Sequence, residues 1–258
     1  MCYHLSFGSD IGTIYDLLPE IPKPADLQLD FTARYVQQGH AYPKWPVITN
    51  EDNCLRVKMF EWGVIAPYMK AENLKKDRKL MLNIRSQRIV GDKKAYWYRI
   101  RQNRCLVPAT GFYEHRDVGW EKKVPYHIKL KDRPTFLLPG LFNYSHIPNA
   151  DGELVGTFAI CIRSGNDLMK KIHNSGDNPE RMPLMLPPEL EREWLNPNLT
   201  DLDIQRIVDY EMPSEALEYW PVKSLYRVDG LDPHILDREE YENLPPCKSV
   251  EAYYLGQV

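Results

Sequence analysis

The order of short β-prone runs along the chain is the feature that most constrains its fold. Residues 126–131 alternate in the two-residue period of a half-buried strand, and the runs at 105–108, 135–138 and 156–162 are compact and β-prone. Helical patterns lie between these runs without the strand–helix–strand rhythm of a parallel sheet. The sequence therefore predicts an α+β fold with a curved, mainly antiparallel β-sheet or barrel-like core and peripheral helices.

Helical signals occur in four segments. The last of them opens with Thr200 and, three residues later, Asp203, which is the spacing of a capping box. The predicted helices cover residues 94–103, 166–172, 187–196 and 200–210.

The 258 residues of the chain suffice for one large domain or two small ones. The 21 prolines are scattered, so no linker stands out, and the balance of 43% hydrophobic and 27% charged residues excludes wholesale disorder. We expect one domain over residues 1–258, with an acidic C-terminal segment, about residues 187–258, packed on it. We also expect a monomer.

The sequence indicates neither secretion nor membrane insertion. Its N-terminus has no basic region before a long apolar run, and the longest apolar runs are far shorter than the roughly 20 residues that cross a bilayer. The five cysteines are dispersed and form no Cys-x-x-Cys pair, which argues against a disulfide framework or a zinc site. We expect a cytoplasmic protein, associated with the nucleoid if bacterial, with no metal or organic cofactor.

Charge is unevenly distributed along the chain. The formal net charge is −3, but residues 70–104 hold twelve Lys or Arg against three Asp or Glu, a net +9. Residues 187–258 hold six basic against sixteen acidic side chains, a net −10. A local basic field attracts phosphates even when the whole molecule is acidic, although such runs are equally typical of solvated faces.

Cys2 is the residue with the most specific chemistry. If Met1 is removed, Cys2 offers a free α-amino group and a thiol, both partly deprotonated near neutral pH. The amine of such a 1,2-aminothiol condenses with an aldehyde to a Schiff base, and the thiolate then closes a thiazolidine ring. By its position alone, Cys2 is more readily interpreted as a small buried residue.

Four further segments carry the polar groups that this chemistry needs. Asn83 and Arg85 are two residues apart and would share one side of an extended segment. Glu114 follows an apolar run and a glycine turn, and His173 precedes a polar loop. Residues 61–68 add aromatic side chains beside glycine and proline.

These residues stand in motifs that resemble the SOS response-associated peptidase (SRAP) family. The resemblance extends from Cys2 to about Leu186, and its longest and most specific block is the one from Arg104 to Glu114. The other motifs support it by their order and spacing. They are Met1-Cys2, Trp62-Gly63-Val64, Asn83-Ile84-Arg85, Ile172-His173 and Arg181-Met182-Pro183.

The resemblance implies a protein that binds single-stranded DNA and crosslinks covalently to abasic sites. It implies that Cys2 is the nucleophile, through its amine and its thiol, after self-removal of Met1. It assigns Asn83 to positioning Cys2 and the sugar. Glu114 would shuttle protons, and His173 would assist sugar ring opening, ring closure and reversal.

The same resemblance implies residues that hold the DNA strand. Arg85 matches an arginine that contacts phosphate, a role that suits the planar guanidinium. Trp62, Pro67 and Tyr68 could stack on unpaired bases, although Trp62 is as readily interpreted as a core residue. The predicted DNA-binding residues are Arg85, Trp62, Pro67, Tyr68, Ser86 and Arg181.

Several positions depart from the family pattern. His4 stands where the family commonly has arginine, Gln87 where it has glutamate, and His115 where it has tryptophan. Residues 34–39 lack the usual asparagine and proline, and residues 174–180 lengthen the segment after His173. These changes affect the expected sequence context and affinity more than the expected chemistry.

Two other classes of function remain open from the sequence. One is an N-terminal-nucleophile cysteine amidohydrolase or peptidase, which would share a free Cys2 and a nearby base. The other is a non-catalytic reader of modified DNA. The first predicts no steep salt dependence of DNA binding, and the second predicts that Cys2→Ala leaves function intact.

Overall fold

The computed structural model describes residues 2–23, 30–119, 122–149 and 151–247. It shows a mixed α/β fold with two mainly antiparallel sheets, which confirms the predicted fold class. The strands are β1 (His4–Phe7), β2 (Arg34–Gln38), β3 (Lys44–Glu51), β4 (Cys54–Trp62), β5 (Asn83–Arg85), β6 (Arg104–Ala109), β7 (Gly111–Asp117), β8 (Lys123–Leu130), β9 (Phe136–Tyr144), β10 (Gly156–Ser164), β11 (Arg181–Pro183) and β12 (Leu217–Pro221). The α-helices are α1 (Thr13–Leu17), α2 (Leu74–Arg78), α3 (Gln87–Val90), α4 (Tyr96–Arg99), α5 (Asp167–Ile172), α6 (Pro188–Trp194) and α7 (Asp201–Val208).

The first sheet holds the N-terminal strand between two others. Its order is β12–β8–β7–β1–β2, and every neighbouring pair is antiparallel. His4 of β1 lies opposite Tyr113 of β7 on one side and opposite Gln38 of β2 on the other. The chain therefore enters the sheet beside the strand that carries Glu114.

The second sheet closes on itself. Its order is β11–β10–β4–β3–β6–β9, and β9 pairs again with β10. The first half of β10 pairs with β4 and β9, while its second half pairs with β5 and β11. In that second half, Ile160 lies opposite Asn83, Ile162 opposite Arg85, and Ser164 opposite Arg181. One strand thus joins the closed part of the sheet to the two short strands that bear predicted site residues.

Apolar side chains of both sheets meet in a shared core. The ring centroid of Phe7 in β1 lies 6.4 Å from that of Trp45 in β3. Trp194 of α6 is fully buried and donates from Nε1 to the carbonyl oxygen of Cys105 at 3.1 Å. The acidic segment thus packs on the second sheet through α6, although residues 248–258 lie outside the described residues. One domain over the whole chain stays a prediction.

The helices match the sequence pattern to different degrees. Helix α7 has the expected capping box, since Thr200 Oγ1 accepts from the main-chain N–H of Asp203 at 3.2 Å and Asp203 accepts in return. Helix α4 is much shorter than the predicted 94–103. It ends early because Arg101 donates from Nη1 to the carbonyl oxygen of Tyr98 at 2.9 Å and stacks on that ring. Within the described residues, no helix combines the length and apolarity needed to cross a membrane.

Candidate functional site

A cavity of about 420 Å³ opens beside β7 and the loop after α5. Strand β7 contributes Glu114, and His173 ends α5 at its C-cap position. Side chains from the N-terminal strand, the start of β8 and the loop complete the wall. The lining residues are Tyr3, Glu114, His115, Lys123, His173, Ser175, Gly176, Asp177 and Asn178.

Glu114 and His173 form a buried pair in this cavity. They are 5% and 7% exposed, and Glu114 Oε2 lies 3.8 Å from His173 Nε2. Burial raises the pKa of Glu114 to about 7 and lowers the pKa of His173 to about 4, because it penalises the charged form of each group. Near neutral pH the imidazole is therefore uncharged, and both protonation states of the carboxyl are populated.

The main chain of Arg181 orients the His173 ring. Nδ1 of His173 lies 3.1 Å from both the main-chain nitrogen and the carbonyl oxygen of Arg181. When the main-chain N–H of Arg181 donates to Nδ1, the neutral His173 ring carries its own proton on Nε2, which faces Glu114. The Arg181 side chain donates to Ser164 Oγ at 3.3 Å, and its predicted contact with DNA stays a prediction.

Cys2 is buried and lies within electrostatic range of Glu114. Its side chain is 1% exposed, and it is not among the residues that line the cavity. Its Sγ lies 3.6 Å from the carbonyl oxygen of His4. Burial, and then the negative charge of Glu114, raise the pKa of the Cys2 thiol well above its usual value. The thiol is thus protonated at neutral pH, and ionising it requires a base.

Strand β5 carries Asn83 and Arg85 on one face, because they are two residues apart. Asn83 is 9% exposed, and neither its Oδ1 nor its Nδ2 has a hydrogen-bond partner among the described residues. Arg85 is exposed and donates from Nη2 to Oδ1 of Asn178, one of the cavity-lining residues. Arg85 therefore lies at the cavity mouth, while Asn83 is a buried amide able to bind a polar group.

Two predicted DNA-binding residues are buried. Trp62 is fully buried, and it donates from Nε1 to the carbonyl oxygen of Leu82 at 2.9 Å and stacks on Phe158. Ser86 is 3% exposed. Neither side chain presents a surface to a strand in this conformation, and their contact with DNA stays a prediction. Trp62 instead holds the main chain immediately before Asn83.

Pro67 and Tyr68 lie on the surface. Tyr68 is 62% exposed, and its ring packs edge-on against Tyr96 at a centroid distance of 5.7 Å. Both residues line a cavity of about 590 Å³ together with Tyr96 and Arg99. Their predicted stacking on bases stays a prediction, now with two neighbours that the sequence reasoning did not single out.

The loop after His173 is the part of the cavity that sequence reasoning missed. Asn174 fastens it to β7, since Nδ2 donates to the carbonyl oxygen of Asp117 at 2.9 Å and Oδ1 accepts from the N–H of Asp117 at 2.8 Å. The only sequence signal was its extra length relative to the family spacing. Tyr3 and Lys123 were also missed, because they come from distant segments.

His4 adds no positive charge to the site. Burial, with smaller contributions from His115 and His40, lowers its pKa to about 4. The ring centroids of His4 and His115 are 6.3 Å apart. At neutral pH this position therefore carries an uncharged imidazole, unlike the arginine that is common in the resembling family. Within the described ranges, no group of three or more His, Cys, Asp or Glu side chains could hold a metal ion.

The fold and the site define an α/β protein with a buried Glu–His pair whose carboxyl acts electrostatically on Cys2, the second residue of the sequence. The family model described as SOS response associated peptidase (SRAP) matches residues 1–227. This chain belongs to the SRAP family, as the motifs around Cys2, Glu114 and His173 indicated.

Named proteins and solved structures are similar to this chain. The abasic site processing protein YoqW of Bacillus subtilis is 30% identical over 200 residues, which cover 74% of this chain and 84% of that protein. The abasic site processing protein YoaM of the same organism is 28% identical over 221 residues, covering 83% and 90%. A crystal structure of a Bacteroides thetaiotaomicron protein superposes with a TM-score of 0.80 at 26% identity, covering 93% of this chain and 100% of that one. A Bordetella bronchiseptica protein, at 21% identity and a TM-score of 0.66 over 86% of this chain and 100% of its own, shares the fold.

Proposed function

We propose that this protein processes abasic sites in single-stranded DNA by crosslinking to them through Cys2. The observation that carries the proposal is the buried Glu114–His173 pair, 3.8 Å apart, whose carboxyl acts electrostatically on the Cys2 thiol. Curated relatives that are named abasic site processing proteins support the same class of substrate.

The chemistry begins with removal of Met1, which lies outside the described residues. Water hydrolyses the Met1–Cys2 peptide bond, which releases methionine and frees the α-amino group of Cys2. That amine attacks the C1′ aldehyde of a ring-opened abasic sugar, and loss of one water gives a Schiff base. The thiol sulfur then adds to the same carbon, its proton ends on the ring nitrogen, and a thiazolidine results. Protein and DNA thus combine with the net loss of one water.

Glu114 and His173 are suited to different parts of this sequence. A carboxyl with a pKa of about 7 can accept the thiol proton and give it back within the same pH range. The imidazole is neutral near pH 7, so its Nε2–H can donate a hydrogen bond to a sugar or leaving oxygen. We assign proton transfer to Glu114 and stabilisation of the opening sugar to His173. The buried amide of Asn83 is assigned to the sugar and the N-terminal amine.

Binding of the DNA strand is assigned to the guanidinium groups of Arg85 in β5 and Arg181 in β11. Arg85 already donates to an amide oxygen of Asn178, and a phosphate oxygen is a stronger acceptor for the same group. Arg181 lies close enough for its pKa to be lowered, after burial, by the charge of Arg85. Two neighbouring guanidinium groups at the cavity mouth favour an anionic partner.

Intact-mass spectrometry tests the proposal directly. Purified protein, first shown to lack Met1, is incubated with a single strand that contains one abasic site. The expected product has the summed mass of the two molecules less one water. A wild-type protein that forms no such adduct contradicts the proposal. In that case, salt-independent hydrolysis of small amides would favour an amidohydrolase, and tight DNA binding without an adduct would favour a reader.

Replacement of Arg85 tests the phosphate contact. Arg85→Gln is expected to weaken non-covalent binding to all single-stranded sequences alike and to reduce the slope of log affinity against log salt by about one ion. Fluorescence anisotropy at several salt concentrations measures both quantities. The matched control is Arg56→Gln, which removes an exposed arginine beside Tyr15 and Lys23. An unchanged slope in Arg85→Gln would contradict the assignment.

A further inference from the structure

A second cavity adjoins the first across a pair of histidines. It has a volume of about 490 Å³ and lies between β1, β2 and the segment at 225–230. His4 lines this cavity, and the ring of His4 lies 6.3 Å from that of His115, which lines the first. The lining residues that the argument uses are His4, Arg34, Gln37, Gln38, Tyr226 and Arg227.

We propose that this second cavity binds the nucleotide next to the abasic one on the same single strand, and we call it the flanking-nucleotide cavity. The inference rests on the proposed function, because the His4–His115 pair joins this cavity to the one in which the abasic sugar is proposed to bind. It adds a binding site and the residues that form it.

The charge of the flanking-nucleotide cavity suits a phosphate. Arg34 and Arg227 line it, and no Asp or Glu is among its described lining residues. Neither arginine forms an ion pair with a side chain in the described part of the chain. His4 is uncharged at neutral pH, so the two guanidinium groups supply the positive charge that position 4 lacks in this chain.

The same cavity offers groups for an unpaired base. Tyr226 is 73% exposed, so its ring is available as a stacking surface, and Arg227 covers it at 5.0 Å. Gln37 and Gln38 bring two amide side chains, of which Gln37 donates from Nε2 to the Gln38 carbonyl at 3.3 Å. Amides can donate to and accept from the edges of bases, as single-strand recognition requires.

Hydrogen bonds hold the outer wall of the flanking-nucleotide cavity. Gly230 accepts from the main-chain N–H of Tyr35 at 2.8 Å, and Tyr113 donates from its hydroxyl to the carbonyl oxygen of Tyr35 at 2.5 Å. A methyl group on Gly230 would come within 2.4 Å of the carbonyl oxygen of Val36, so the close approach requires glycine. A preformed wall loses little conformational freedom when the nucleotide binds.

The test uses two abasic oligonucleotides of equal length, one with all its nucleotides on the 5′ side of the abasic site and one with all on the 3′ side. Wild-type protein, Arg227→Gln and Tyr226→Ala are compared with Arg56→Gln as the matched control. We expect Arg227→Gln to weaken binding of one of the two oligonucleotides by about threefold or more. The slope of log affinity against log salt for that oligonucleotide should fall by about one ion, and the affinity for the other oligonucleotide should not change. Tyr226→Ala is expected to weaken the same oligonucleotide by at least about fivefold.

The outcomes separate this inference from the proposed function. If wild-type protein forms an adduct with both oligonucleotides but Arg227→Gln and Tyr226→Ala behave like Arg56→Gln, the flanking-nucleotide cavity is overturned and the crosslinking proposal stands. Equal weakening of both oligonucleotides also overturns it, since a flanking site acts on one side only. If wild-type protein forms no adduct with either, the proposed function fails and the inference falls with it.

Discussion

Cys2→Ser protein is expected to bind an abasic single strand and to form no stable adduct with it. The amine that remains after loss of Met1 can still form a Schiff base, but the hydroxyl of serine is a much weaker nucleophile than a thiolate. The covalent product should therefore survive denaturing electrophoresis only when it has been reduced with borohydride. Wild-type protein should give the adduct with or without borohydride.

The control for this experiment is a second thiol. Cys54 is a free, partly exposed cysteine in β4, so it is more accessible than Cys2. Cys54→Ser should give the full yield of adduct. A borohydride-independent adduct in Cys2→Ser protein, or its loss in Cys54→Ser protein, would show that Cys2 is not the crosslinking residue.

Glu114→Gln is expected to slow crosslinking by roughly 10²–10⁴-fold, which is the contribution of a well-placed general acid or base. Because burial raises the pKa of Glu114 to about 7, the fraction of carboxylate grows as the pH rises through 7. If removal of the thiol proton limits the crosslinking rate, the wild-type rate should therefore rise as the pH rises through 7. The variant should lose the part of that rise that Glu114 contributes and keep the part that comes from deprotonation of the Cys2 amine, whereas His173, with a pKa lowered to about 4, contributes none between pH 5 and 8.

The stability of the Glu114→Gln variant tests the raised pKa of Glu114 independently of the crosslinking rate. A carboxyl whose pKa is raised from 4.5 to about 7 makes the native state lose stability as the pH rises between those values, by roughly 3 kcal/mol in all. Glu114→Gln should remove this loss, so it should unfold at a higher denaturant concentration than wild type at pH 8. Asp177 lines the same cavity but is exposed, so Asp177→Asn serves as the control. It should change neither the crosslinking rate nor the stability at pH 8 strongly. A Glu114→Gln protein with a wild-type rate and pH profile would contradict the role of Glu114.

The sequence predicted those features that depend on local pattern. The alternation at 126–131 lies in β8, and the capping residues at Thr200 and Asp203 begin α7, because both signals act within a few residues. The motif resemblance also singled out Glu114 and His173, which the fold brings to within 3.8 Å of each other. Recognising the family was enough to find this pair before any distance was known.

The features that the sequence did not predict depend on distant contacts. The sequence left Trp62 open between stacking on bases and packing in the core, and the fold packs it against Gly39, where an added methyl group would lie 3.0 Å from its ring. The cavity beside Glu114 and His173 likewise takes Tyr3 from before β1 and Lys123 from the start of β8. No local signal marks these residues, since their roles arise only when segments far apart in the chain meet.

Strand β10 limits how the length of the chain can change in proteins with this fold. Its first half is fixed by the closed sheet, and its second half sets the register of the strands that bear Asn83, Arg85 and Arg181. Inserting or deleting one residue near the middle of β10 would turn the side chains of its second half to the opposite face and break the register in which β5 and β11 pair with it, while leaving the closed sheet paired. Natural variation should therefore replace residues in β10 more freely than it changes the length of that strand.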